Sequence, residues 1–190
     1  MKQHHVFSFL QRMGKSFMLP IAVLPVAGLF LGVGTSLTNE TTIAAFRLES
    51  VLGQGTFLYS VLILLKQVGK VLFDNLPLIF AVSIALGMSK RRKEVAALAA
   101  IIAFFVMHAT INTLLCLDGS IVNGVVSNYI LDRSITSVCG MLSLEMGVFG
   151  GIVVGLGVSY LHNRFYQIQL PNVISFYEGE RFVPIVCAIT

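Results

Sequence analysis

The sequence predicts an all-α fold, a polytopic bundle of transmembrane helices, and three observations carry that reading. Of the 190 residues, 56% are apolar and only 12% are charged, about half the charge usual in a soluble domain. That is too little charge to cover a water-soluble globule of this size. The apolar residues are gathered into long uncharged runs, and lipid obliges such runs to satisfy their own backbone hydrogen bonds as helices. The lysines and arginines sit in short clusters beside the runs, the pattern that orients helices in a bilayer. About four crossings and a cut-short fifth are expected, with a long, partly amphipathic helix before the second.

The first run, Ser16 to Leu37, carries no charge and contains Pro20 and Pro25. Each proline removes a helical hydrogen bond and bends the span, either for packing or to free carbonyls at a substrate site. From Thr56 to Asp74 the chain is apolar except at Lys66, Lys70 and Asp74, whose spacing puts them on one helix face. Together with Asn75 to Ser89 this makes a stretch that overshoots a bilayer by about 20 Å as one straight helix. A break at Asn75-Leu76-Pro77, with Leu76 to Gly87 as the crossing, resolves the excess. A single tilted helix with snorkelling lysines is the alternative.

Val95 to Leu117 is an uncharged run of 23 residues, long enough for a hydrocarbon core of about 30 Å. Met146 to Asn163 is a glycine-rich fourth run, and a fifth begins at Phe182. Lys2, Arg12 and Lys15 precede the first run, and Lys90, Arg91, Arg92 and Lys93 precede the third. Arg164 and Arg181 follow the fourth, whereas Arg133 faces Asp118, Asp132 and Glu145 in the loop between the third and fourth. These counts put the N-terminus on the inner, cytoplasmic side of a multi-pass membrane protein.

The net charge of +4 does not form a basic stripe, which argues against a nucleic-acid partner. Cys116, Cys139 and Cys187 are far apart and give neither zinc-ligand spacing nor a disulfide framework. No cofactor is implied, since Gly32 and Gly34 follow no strand and imitate a dinucleotide fingerprint only in spacing. No nucleophile–base pair can be assembled. Gly147, Gly151 and Gly155 recur four apart, as do Gly28 and Gly32, and small residues at that spacing allow close helix packing in lipid. His108 and Asn112 lie one turn apart inside the third run. Polar groups at that depth need partners, which could be a polar solute such as a sugar or another helix, through Asn75 or Ser83.

Longer motifs carry a resemblance. The glycine-rich run continues into Asn163, Arg164, Phe165, Tyr166, Ile168, Leu170 and Pro171, then Phe176, Gly179, Arg181, Phe182, Val183, Pro184 and Ile185. Upstream stand "GKSFMLPIAVLPVAGLFLGVG", "VLFDNLPLIFAVSIALGMS" and "EVAALAAIIAFFVM". In collinear order these resemble the glucose family of bacterial sugar phosphotransferase-system permeases, in their membrane-embedded C component. Within the matched stretches "FYEGERF" departs from the pattern, with Glu178 and Glu180 where small or basic residues are usual, and the resemblance implies a place in the bacterial inner membrane.

The resemblance implies a homodimeric permease for glucose, N-acetylglucosamine or a glucoside, working with a B component that carries a phosphorylated cysteine. It further implies that residues 1–190 are the N-terminal scaffold and dimerisation part, with the sugar-binding hairpins and B domain absent. A chain of that kind is expected to have no phosphotransferase activity alone. The other expectation, from a different class, is a non-transporting scaffold that pairs with an intact permease through its glycine faces.

Overall fold

Glycine and alanine set the spacing of the helices. The computed structural model describes residues 2–53, 55–122, 124–127, 134–168 and 179–190, and the chain divides into two compact units, Leu19–Asn75 and Met1–Met18 with Leu76–Thr190.

The smaller unit contains most of helix α2 (Met18–Leu37), the short helices α3 (Glu40–Ala45) and α4 (Glu49–Leu52), and α5 (Phe57–Asp74). Helix α2 runs on through Pro25. Asn39 caps α3 by accepting from the Thr41 N–H at 2.9 Å. Thr56 caps α5 by accepting from the Tyr59 N–H at 3.3 Å, so each helix begins where a side-chain oxygen satisfies an orphan amide. Ile43, Leu52 and Leu62 form the small core of this unit. The close approach of α2 and α5 falls at Gly34 and Gly69. A Cβ on Gly34 would come within 2.6 Å of Lys66 Cβ, and one on Gly69 within 2.5 Å of the Leu31 amide nitrogen. Gly28 and Gly32, the pair the sequence singles out, have more room: the nearest atom to a Gly28 Cβ is Phe73 Cζ at 3.9 Å, and nothing approaches Gly32.

The larger unit is built from α1 (Lys2–Ser16), α6 (Leu76–Met88), α7 (Lys93–Leu117), α8 (Gly147–Phe165) and α9 (Phe182–Ile189), the last entered through a 3₁₀ turn at Gly179–Arg181. Helix α8 buries Gly150, Gly151, Val154, Gly155, Val158, Ser159 and His162, largely against α6. A Cβ on Gly151 would collide with the Pro77 carbonyl, and one on Gly155 would lie 2.7 Å from the Ala81 carbonyl oxygen and 2.8 Å from Ile84 Cβ. Gly147 differs. It opens α8 at φ 53° with nothing near its absent side chain, a backbone conformation that costs glycine little. The core joins Ala81, Ala85, Ala96, Ala99, Ala100 and Phe104 to Val154, Val158, Val183 and Cys187. Leu98, Ile101, Phe105, Leu114 and Leu117 of α7 remain exposed, as lipid-facing side chains do.

Two antiparallel hairpins join α7 to α8. In the first, β1 (Ile121–Val122) pairs with β2 (Val125–Val126); in the second, β3 (Ile135–Val138) pairs with β4 (Met141–Leu144). Cys139 and Gly140 turn the second hairpin with φ of 50° and 83°, the left-handed pair of a type I′ turn whose twist suits the strands.

The helical class is observed, but four crossings plus a fifth are not. Among the described residues two helices are long and apolar enough to span a membrane, Phe7–Leu37 and Lys93–Leu117. Phe57–Asp74 and Leu76–Met88 make a third if they count as one span broken at Asn75. Helix α6, taken from the sequence as a crossing, has only 13 residues, about 20 Å against a core of about 30 Å. Helix α8 is long enough at 19 residues, but five glycines and the polar last turn dilute its apolarity. Helix α9 extends for 8 residues.

The α6–α8 contact yields a stability prediction. Gly151→Leu must drive its side chain into the Pro77 carbonyl, a cost of about 1–3 kcal/mol for overpacking. Thermal unfolding of the detergent-solubilised chain should show a clear fall in Tm. Gly157→Leu, where an added Cβ meets nothing within 4 Å, should leave Tm nearly unchanged.

Candidate functional site

Polar chemistry gathers at two places in the larger unit, one at each end of α7. Toward its C-terminal end, His108 is 2% exposed and Ser143 of β4 is 0% exposed, and His108 Nδ1 lies 2.8 Å from Ser143 Oγ in a shared hydrogen bond. The imidazole also stands edge-on to Phe104, ring centroids 4.6 Å apart. One turn on, Asn112 donates from Nδ2 to the Leu142 carbonyl at 2.7 Å. The polar side chains of α7 thus meet consecutive residues of β4. Neither makes a hydrogen bond to Ser83, one of the helix partners considered from sequence. Thr110 turns back on its own helix, bonding the Val106 carbonyl at 2.8 Å.

At the other end, the α6–α7 turn carries Lys90, Arg91, Arg92 and Lys93, all exposed. The last turn of α8 holds this turn from beneath. His162, 0% exposed, donates from Nε2–H to the Arg91 carbonyl at 2.7 Å. Asn163 accepts from the Lys90 N–H at 2.9 Å and donates to the Met88 carbonyl at 3.1 Å. Three backbone residues, Met88, Lys90 and Arg91, are therefore tied by two adjacent side chains, and Arg92, at φ 48°, swings the chain into α7. His162 Nδ1 and Ser89 Oγ are buried there without hydrogen-bond partners.

The remaining motif residues surround this clamp. Tyr166 stacks on His162 with ring centroids 5.8 Å apart. Phe165 meets Phe182 edge-on at 6.3 Å, so two parts of the motif separated in sequence are brought together. Pro184 lies half-buried in α9, while Arg164 and Arg181 are exposed. Pro171 lies outside the described residues. Sequence reasoning missed His162 and Ser143, whose importance depends on what they face. It also missed the hairpins, although Asn123-Gly124 between two valines is a turn signal.

A groove of about 210 Å³ runs between α7, α8 and α9, lined by Ala103, Met107, Val154, Val158, Leu161 and Cys187 among others. Its apolar lining offers almost no donors or acceptors for sugar hydroxyls. No group of three potential metal ligands converges among the described residues. The cysteines form no disulfide, and burial raises the Cys139 thiol pKa above its ordinary value.

Comparison with known proteins decides the family. The model for Phosphotransferase system, EIIC matches residues 14–190. This chain belongs to that family. It is also 40% identical over 187 residues to the PTS system glucose-specific EIICBA component of Staphylococcus saprophyticus subsp. saprophyticus. That match takes in 97% of this chain and 26% of the relative, so the EIIC chain spans about a quarter of the relative's length. It is a multi-pass membrane protein by family and by its spanning helices.

Two outcomes test the polar geometry of this EIIC chain. Ser143→Ala and His108→Phe should each destabilise by about 1–3 kcal/mol, because each strands a buried polar partner. The double variant should lose less than the sum, read from Tm in a double-mutant cycle. Because the thiolate is the nucleophile, the raised pKa of Cys139 means slow alkylation at neutral pH. Peptide mapping after iodoacetamide should show Cys139 labelling that rises at higher pH than that of an ordinary exposed thiol.

Proposed function

We propose that this chain is the membrane part of a permease that takes up a glucose-type sugar for phosphorylation. The observation that carries the reading is the 40% identity over 187 residues to a glucose-specific component. In this reading residues 1–190 form the scaffold and dimer-forming portion of the C component. They work with a B component that supplies phosphate to the sugar, and the permease is a homodimer.

His108 and Asn112 enter the proposal as indirect contributors to sugar handling. Each spends a hydrogen bond on β4, so their support for transport is to fix the hairpin on α7. The glycine seam of Gly151 and Gly155 keeps α8 against α6, and Asn163 holds the turn that starts α7.

The N-terminus and the Lys90–Lys93 turn face the cytoplasm in this proposal. Arg12 and Lys15 of α1 come to the same end of the larger unit, because Ser16 occupies the space beside Gly87. Positive charge collected at one end of a spanning helix marks the inner side. A reporter fused after Lys93 should register cytoplasm, and one fused near Asn123 the outside; the reverse pattern sinks the orientation.

A segment exchange tests the function. The chain should replace the matching 187 residues of the S. saprophyticus protein and preserve glucose uptake with phosphorylation. A hybrid that inserts normally but takes up no glucose would refute the sugar assignment. The 190-residue chain alone, mixed with the soluble phosphate donors, should transfer no phosphate to glucose, since none of its cysteines resembles a phosphocysteine site.

A further inference from the structure

We propose that the larger unit holds a phospholipid, its anionic headgroup on the α6–α7 turn and one acyl chain in the α7–α8–α9 groove. Lys90, Arg91 and Lys93 are exposed on a turn whose backbone is fixed by His162 and Asn163. Arg92 is partly engaged, 3.8 Å from Glu94, while Arg164 adds an exposed cation from the end of α8. Three hydrogen bonds fix the backbone from which Lys90 and Arg91 project, so a bound headgroup has only the side chains left to order.

The groove begins where the turn is held. Leu161, one of its lining residues, directly precedes His162 and Asn163. From there it follows α8 back through Val158 to Val154 and α7 to Ala103 and Met107. Ala103 is ten residues beyond Lys93, about 15 Å along the helix, close to half of a hydrocarbon core of about 30 Å. The groove therefore extends from the level of the turn to about the depth of one leaflet.

The shape chooses the occupant. A free phosphate would use the cations and leave the groove empty. A packed helix, about 10 Å across, is too broad for a cavity of about 210 Å³. An acyl chain is narrow and apolar, and a phospholipid joins it to a phosphate that can meet several cations at once, where a fatty acid brings one carboxylate. This assignment depends on the membrane placement of the chain and not on which sugar is carried.

Native mass spectrometry of the solubilised chain, given equimolar phosphatidylglycerol and phosphatidylcholine, is the test. The unaltered chain should retain phosphatidylglycerol preferentially. Lys90→Gln, Arg91→Gln and Lys93→Gln combined should abolish that preference, with roughly a fivefold loss for each cation removed. Gly157→Leu puts a side chain into open groove space without a clash and should reduce retention of both lipids. Binding by either variant equal to that of the unaltered chain would overturn the proposal. Displacement of phosphatidylglycerol by excess inorganic phosphate would also overturn it, marking a site for a free anion.

Discussion

Helix α8 lies so close to α6 that backbone carbonyls of Pro77 and Ala81 fill the space where side chains of Gly151 and Gly155 would stand. In lipid no hydrophobic force drives two helices together, so van der Waals contact at short range must do so. The approach has a consequence at its far end. It delivers His162 and Asn163 to the carbonyls and amide of Met88, Lys90 and Arg91, where they close the connection from α6 to α7. The start of the 23-residue uncharged run is thus set by the last turn of a helix more than fifty residues later in the chain.

Helix α7 passes the order on to the opposite end. Its alanines, Ala96, Ala99 and Ala100, keep it near the other core helices, and further along the polar pair His108 and Asn112 emerges against β4. Buried polar groups in an apolar bundle are costly unless bonded. The hairpin supplies a hydroxyl and a backbone carbonyl in consecutive residues, so it is ordered by the helix it covers. Its strands satisfy each other's backbone groups, which suits a connection lying against an apolar core. Family membership and this geometry agree on a helical membrane protein in which a short sheet element is fastened to one of the helices.

The phosphotransferase EIIC family was legible from its longer motifs, because a collinear series of such motifs is far more specific than composition. Helix positions were legible too: the break at Asn75 and the extent of α7 follow from charge spacing and run length. The number of crossings was not. Counting apolar runs treats α6 and α8 as equal to α7, although length fails α6, and glycine with a polar last turn weakens α8. The glycine repeats show the same limit. Gly151 and Gly155 meet backbone, Gly147 meets nothing, and the tight contact of the smaller unit uses Gly34 and Gly69 in place of Gly28 and Gly32.

By itself the sequence determined the membrane environment, the helical class and the family, since these follow from apolar content, run length and motif order along one dimension. Only the tertiary structure decided which glycines are contacts, why Asn163 belongs to the motif, and what His108 and Asn112 bind. Those are properties of pairs of residues up to 75 positions apart. Linear spacing fixes which residues share a helix face, but a hydrogen bond across the bundle depends on the neighbour that packing brings within about 3 Å.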